Sequence, residues 1–165
     1  AAIDRLGCPP GEAFYTDDIE DYITALQPTC LSFDELMARL KRMRLSDQVT
    51  VIKGFFHETL PQLGAERFSL AHLDGDLYES YRTCLEFVYP RMLAGGYIVL
   101  DDYRNPVYVG AQRAVEEFFA DKPDVVQYFP DAPGRRYFVY MGGGLAPGAR
   151  AEDVESKGIV ERRAG

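Results

Sequence analysis

The sequence predicts an α/β domain on a mostly parallel sheet, finished by an antiparallel hairpin at its carboxyl end. Three observations carry that prediction. Apolar, β-branched runs alternate with stretches of helical periodicity across the middle of the chain, the pattern of strand–helix–strand crossover units. Two of these runs end in acidic pairs, Asp74-Gly75-Asp76 and Asp101-Asp102, and chemistry in open α/β sheets gathers beyond the carboxyl ends of parallel strands. Two late runs, Asp124 to Phe129 and Arg135 to Met141, are joined by Pro130-Asp131-Ala132-Pro133-Gly134, a hairpin signal.

Taken in order, residues 1–31 read as a lid or connector, with acids at the front of a short helix that Pro28 breaks. Ser32-Phe33-Asp34-Glu35 is a capping-box pattern, and Phe33, Leu36, Met37 and Leu40 follow at helical spacing to about Leu45. Lys41, Arg42 and Arg44 then lie where cations favour the exposed carbonyls of a helix end. Val49 to Phe56 has strand composition, with Gly54 allowing close backbone approach. Phe68 to Leu73 is a second strand. Tyr81, Cys84, Leu85 and Val88 mark a helix that ends by Pro90, and Gly95-Gly96 makes the turn into a third strand, Tyr97 to Leu100. A right-handed crossover between the last two strands places both acidic pairs on one edge of the sheet. Val109 to Ala120 carries an apolar stripe of Ala111, Ala114, Val115, Phe118 and Phe119, a helix that covers the sheet. The domain therefore spans 32–142, and the Gly-, Ala-, Glu- and Arg-rich residues 143–165 read as a flexible tail.

At 165 residues and 47% hydrophobic content, the chain suits one domain with a core. Its three cysteines are widely spaced, without CxxC or a Cys/His cluster. Neither a disulfide framework nor a structural zinc site is expected, and a reducing cytoplasm fits best. No apolar run approaches membrane-spanning length, and no signal-peptide pattern opens the sequence. A net charge of −8 argues against nonspecific nucleic-acid binding, which needs clustered Lys and Arg.

Asp74, Asp76, Asp101 and Asp102 gathered at one rim would repel one another unless a hard cation or shared protons offset the charge. Oxygen-only ligand sets suit Mg²⁺ or Ca²⁺. The alternative is that they are ordinary turn acids.

Three segments together resemble the macrocin-type O-methyltransferases, enzymes that methylate sugar hydroxyls of antibiotics using S-adenosylmethionine and Mg²⁺. They are Gly54-Phe55-Phe56-His57-Glu58-Thr59-Leu60-Pro61, Leu73-Asp74-Gly75-Asp76-Leu77-Tyr78-Glu79-Ser80 and Gly95-Gly96-Tyr97-Ile98-Val99-Leu100-Asp101-Asp102-Tyr103. The resemblance covers about residues 32 to 141. It implies a Rossmann-like methyltransferase sheet, with Asp74, Asp101 and Asp102 holding the metal and Asp76 as general base. Gly54, Phe55, Phe56 and Asp74 would line the cofactor site, with the aromatic pair near the adenine. A glycoside or sugar would be the acceptor.

The chain departs from the family's pattern in lacking, ahead of these segments, the strand and glycine-rich turn for the methionyl part of the cofactor and the strand whose acid binds the ribose. It reads as the carboxyl-terminal two thirds of such an enzyme with its amino-terminal strands missing. Either it is a fragment, or the sheet closes up with the strand near Val51 beside the strand near Leu70. A missing sheet centre makes a homo-oligomer or partner binding an expectation too. Further readings compete at single residues. His57 reads as a surface or capping histidine rather than a cofactor contact, and His72 as a core histidine at least as readily as one that orients Asp74. Tyr103, Arg104 and Asn105 lie where a sugar would arrive. A glycosyltransferase reading of Asp-x-Asp is disfavoured by the second acidic pair at the next strand end.

Overall fold

The structure is a computed structural model, and it describes residues 31–129 and 136–149. Helix α1 (Phe33–Arg42) begins as the capping box requires: Glu35 N–H donates to Ser32 Oγ at 3.3 Å, and Ser32 N–H donates to Glu35 Oε2 at 2.9 Å. No residue of α1 is buried, so its apolar stripe adds nothing to the core.

Residues 49–55 do not form the expected strand. They run irregularly into a one-turn helix, α2 (Phe56–Thr59), followed by a 3₁₀ turn at Leu60–Leu63. Strand composition is not sufficient by itself: a strand also has to pair its backbone groups with a neighbour, and among the described residues this segment pairs with none. Among the described residues, strand β1 (Phe68–Leu73) pairs only with β2 (Met92–Leu100), and the strand near Val51 does not lie beside it as the closed-up sheet would require.

Between β1 and β2 lies helix α3 (Tyr78–Val88), then a 3₁₀ turn at Tyr89–Arg91. After β2 come α4 (Val109–Phe119), β3 (Val126–Phe129) and β4 (Arg136–Tyr140). The sheet order is β1-β2-β4-β3. β1 and β2 are parallel, whereas β2–β4 and β3–β4 are antiparallel. The class is α/β as expected, but among the described residues the sheet is mixed, because parallel pairing is confined to the one strand–helix–strand unit.

Gly95-Gly96 lies inside β2 instead of forming a turn ahead of it. The register slips here, from Phe68 opposite Met92 to Leu70 opposite Tyr97. Glycine is required on both counts: Gly95 has φ +82°, and a Cβ on Gly96 would stand 2.7 Å from the Ser69 carbonyl oxygen. Beyond the slip the register is regular, and it runs one hydrogen bond past the strand end, Asp101 N–H to Leu73 O at 3.0 Å.

One face of the sheet is packed. Leu73, Ile98, Leu100, Val126, Tyr137 and Val139 meet Tyr81, Leu85 and Val88 of α3 and Ala111, Ala114, Val115 and Phe119 of α4. The alanines and Gly110, whose added Cβ would lie 3.1 Å from Tyr78 N, let the two helices approach closely. At the end of α3, Tyr89 Oη donates to Asp124 Oδ2 at 2.6 Å.

The expected tail begins differently. Gln127, fully buried, donates from Nε2 to Gly144 O and accepts from Ala146 N–H at 2.9 Å, so residues 144–146 are tied to β3. A polar pair buried this way latches a segment that has few large apolar side chains of its own. The lid or connector at 1–31 falls almost wholly outside the described residues, as does the tail from 150 on. No helix among the described residues is long and apolar enough to cross a membrane.

Candidate metal and cofactor site

Because β1 and β2 run parallel in matched register, the residues that follow them emerge at the same sheet end. Asp74, Asp76 and Asp102 each bring a carboxylate oxygen there, and these oxygens lie within 4.8 Å of one another. Asp102 is buried, Asp76 half-buried and Asp74 exposed.

The turn after β1 is built by Asp76, not by Gly75. Asp76 takes the left-handed conformation (φ +57°), which Asp tolerates better than most side chains. Its N–H donates to Asp102 Oδ2 at 2.9 Å, fastening the turn to the end of β2. Gly75 serves packing, since an added Cβ would stand 3.0 Å from Ser80 Cβ and 3.5 Å from Phe56 Cε2.

Asp101 turns elsewhere. Its Oδ1 lies 3.2 Å from His72 Nε2 and accepts from Arg136 Nη1 at 3.1 Å. Adjacent residues at a strand end point to opposite faces, so the Asp101-Asp102 pair divides between two environments. The acidic group that converges therefore contains Asp76 where the sequence reading placed Asp101.

The electrostatics match this grouping. Burial, with the charge of Asp76 adding to it, pushes the Asp102 carboxyl up to about 6. Burial first, then the charges of Asp102 and Asp101, raises Asp74 as well, with His72 partly offsetting them. Carboxylates crowded enough to resist ionising are the donor set that a hard divalent cation relieves, and oxygen ligands are what Mg²⁺ prefers. On that chemistry the residues fit the ion.

Gly54, Phe55 and Phe56 line a cavity of about 270 Å³ together with Asp74 and Asp76. Gly54 has φ +146°, and a Cβ there would clash with Thr59 Cγ2 at 2.8 Å, so the α2 entry depends on glycine. Phe55 and Phe56 are 46% and 40% exposed, which leaves aromatic surface open to a flat ligand. The volume lies just under the roughly 300–1,000 Å³ of small-molecule pockets; these residues supply part of an enclosure.

His57 is exposed and stacks on Phe55. His72 is exposed rather than core, and its partner is Asp101 rather than Asp74. Tyr103 is 5% exposed and packs edge-on against Tyr137. Asn105 serves its own loop, its Oδ1 accepting from Val107 N–H. Two residues of this region went unread in the sequence, Arg136 and the hydroxyl of Tyr81, which donates to Leu73 O at 2.9 Å and accepts from Asp102 N–H at 3.0 Å. A tyrosine among the apolar positions of a core helix is the signal that pointed to the latter, because a buried hydroxyl needs a partner.

A Rossmann-like sheet with carboxylates converging past its parallel strands defines a methyltransferase-like α/β protein. The chain belongs to the macrocin O-methyltransferase (TylF) family, whose model matches residues 4–125. It is 46% identical over 59 residues to the 8-demethyl-8-(2,3-dimethoxy-alpha-L-rhamnosyl)-tetracenomycin-C 4'-O-methyltransferase of Streptomyces olivaceus, covering 36% of this chain and 23% of that one. It is 36% identical over 74 residues to the mycinamicin III 3''-O-methyltransferase of Micromonospora griseorubida, covering 45% of this chain and 28% of that protein. Among solved structures, the O-methyltransferase NovP matches with TM-score 0.63 at 26% identity, over 83% of this chain and 57% of NovP. Apo CalS11, a TDP-rhamnose 3'-O-methyltransferase, matches with TM-score 0.55 at 25% identity, over 65% of this chain and 51% of that one. The chain thus aligns with about a quarter of the length of these curated relatives and little more than half of NovP.

Proposed function

We propose that this chain forms the metal- and acceptor-holding part of an S-adenosylmethionine-dependent O-methyltransferase that methylates a sugar hydroxyl of a natural product with the help of Mg²⁺. The observation that carries the reading is the convergence of Asp74, Asp76 and Asp102 at the carboxyl end of two parallel strands. Two of the relatives named above, the rhamnosyl-tetracenomycin-C 4'-O-methyltransferase and the TDP-rhamnose 3'-O-methyltransferase, support the acceptor class.

A sugar hydroxyl ionises only far above neutral pH, so methyl transfer needs its oxygen oriented in line and relieved of its proton as it attacks. S-adenosylmethionine supplies the methyl group, and Phe55 and Phe56 offer it an aromatic wall. Bound Mg²⁺ supplies orientation and polarisation of neighbouring hydroxyls, and Asp74 and Asp102 are the residues to hold it. Asp76, less buried than Asp102, takes the acceptor proton on its carboxylate. Asp101 joins the ligands only by leaving His72 and Arg136.

Calorimetric titration of Mg²⁺ tests the site. Asp102→Asn and Asp74→Asn should weaken binding tenfold or more, and Asp101→Asn distinctly less. Equal affinity in all three variants and the parent chain would discard the metal reading.

A second reading has its own support in the outer edge of β1, which no other described strand pairs with. On it, the chain is a noncatalytic methyltransferase-like module that acts by self-association or partner binding. Titration with S-adenosylmethionine separates the two, because a folded protein that takes up no cofactor leaves only the module.

A further inference from the structure

We infer that Tyr81 is a positioning residue for the acidic site: its hydroxyl locks the ends of β1 and β2 to each other and so holds Asp102 and the Asp76 turn in place. The inference rests on the reading of that site as metal-binding, and goes beyond it by naming what sets its geometry.

Tyr81 lies one turn into α3, with its ring 1% exposed in the core. Phenylalanine would fill that space equally well, so packing does not explain the oxygen. The hydroxyl donates to Leu73 O, the last residue of β1, and accepts from the N–H of Asp102, just past β2. Burial holds the phenol's ionisation well above its usual range, so it stays a neutral donor.

The two contacts are not equivalent. Leu73 O also receives Asp101 N–H at 3.0 Å, so it keeps a partner if the phenol oxygen is removed. Asp102 N–H has no second acceptor among the described contacts. From Asp102 the chain of contacts continues outward, its Oδ2 accepting from Asp76 N–H. One side chain on α3 thereby fixes both strand ends and, through Asp102, a turn it does not touch.

Tyr81→Phe keeps the ring and removes only the oxygen. Tyr89→Phe is the control, since it loses a comparable hydroxyl contact, to Asp124, at the far end of α3. Two readouts are combined: amide hydrogen exchange at Asp76, normalised to amides of β4, and Mg²⁺ affinity by calorimetry. In Tyr81→Phe, exchange at Asp76 should quicken about tenfold and Mg²⁺ affinity should fall by about tenfold or more, the usual effect of removing a group behind a metal ligand. Neither should move in Tyr89→Phe. Unchanged exchange at Asp76 overturns the inference. So does faster exchange with undiminished Mg²⁺ affinity, or an equal loss in both variants. If the parent chain itself binds no Mg²⁺, the metal reading fails, and exchange at Asp76 alone decides whether Tyr81 holds the turn.

Discussion

The two flanks of the sheet are built on different principles. On the β2-β4-β3 side, each strand has a neighbour, helices cover one face, and Gln127 ties the following segment down. On the β1 side, the strand pairs on one edge among the described residues, Leu70 is 62% exposed, and residues 49–55 form no strand. A second cavity, of about 290 Å³, lies along this flank between β1, α3 and the Leu60–Leu63 turn. The acidic site sits where the two regimes meet. Its acidic half leans on the closed flank through Asp102, while the aromatic half, Phe55 and Phe56, belongs to the open one.

That contrast can be broken by substitution, the largest effect coming first. Leu85→Ala, in the closed flank, should cost about 2–5 kcal/mol, the range for deleting a buried leucine side chain; a urea midpoint that barely moves would show that the core is not where the structure places it. The pH response comes next. Asp102 gains stability from protonation that is fully present below pH 3.8 and lost as pH rises through about 6. Without Mg²⁺, the parent chain should therefore lose on the order of 2 kcal/mol relative to Asp102→Asn between pH 4 and 7, and parallel melting curves for the two proteins would count against a buried, crowded Asp102. Gln127→Ala should cost about 1–2 kcal/mol by leaving Ala146 N–H without its acceptor, and should quicken amide exchange in residues 144–146 beforehand. Smallest is Leu70→Ser on the open flank, expected within about 0.5 kcal/mol of the parent. A loss as large as that for Leu85→Ala would mean that the sheet face carrying Leu70, opposite the helices, is covered in solution.

Much of this was legible in the residues, and the exceptions share a cause. The capping box, the two strands that end in acids, the helix between them and the final antiparallel pair depend on local pattern, and each stands where the pattern put it. Val49 to Phe56 has equal strand character but does not pair with the outer edge of β1, and whether a segment pairs is a nonlocal condition that composition does not express. Gly95-Gly96 reads as a turn until β1 is alongside; only then does the close Ser69 carbonyl explain the second glycine. Within the site, period-two alternation already says that Asp101 and Asp102 diverge. Which of them faces Asp74 depends on where His72 and Arg136 come to rest, and Arg136 arrives from a strand distant in sequence.

The hydrogen bond from Asp101 N–H to Leu73 O has one more consequence. It makes the separation between the two acidic segments a property of main-chain pairing, so a substitution at an outward-facing position such as Leu70 leaves the spacing as it is. A protein engineer could transplant the same spacing to another parallel strand pair in matching register by placing Asp-Gly-Asp after one member and Asp-Asp after the other, but would also have to supply a counterpart of Tyr81 to aim the second pair.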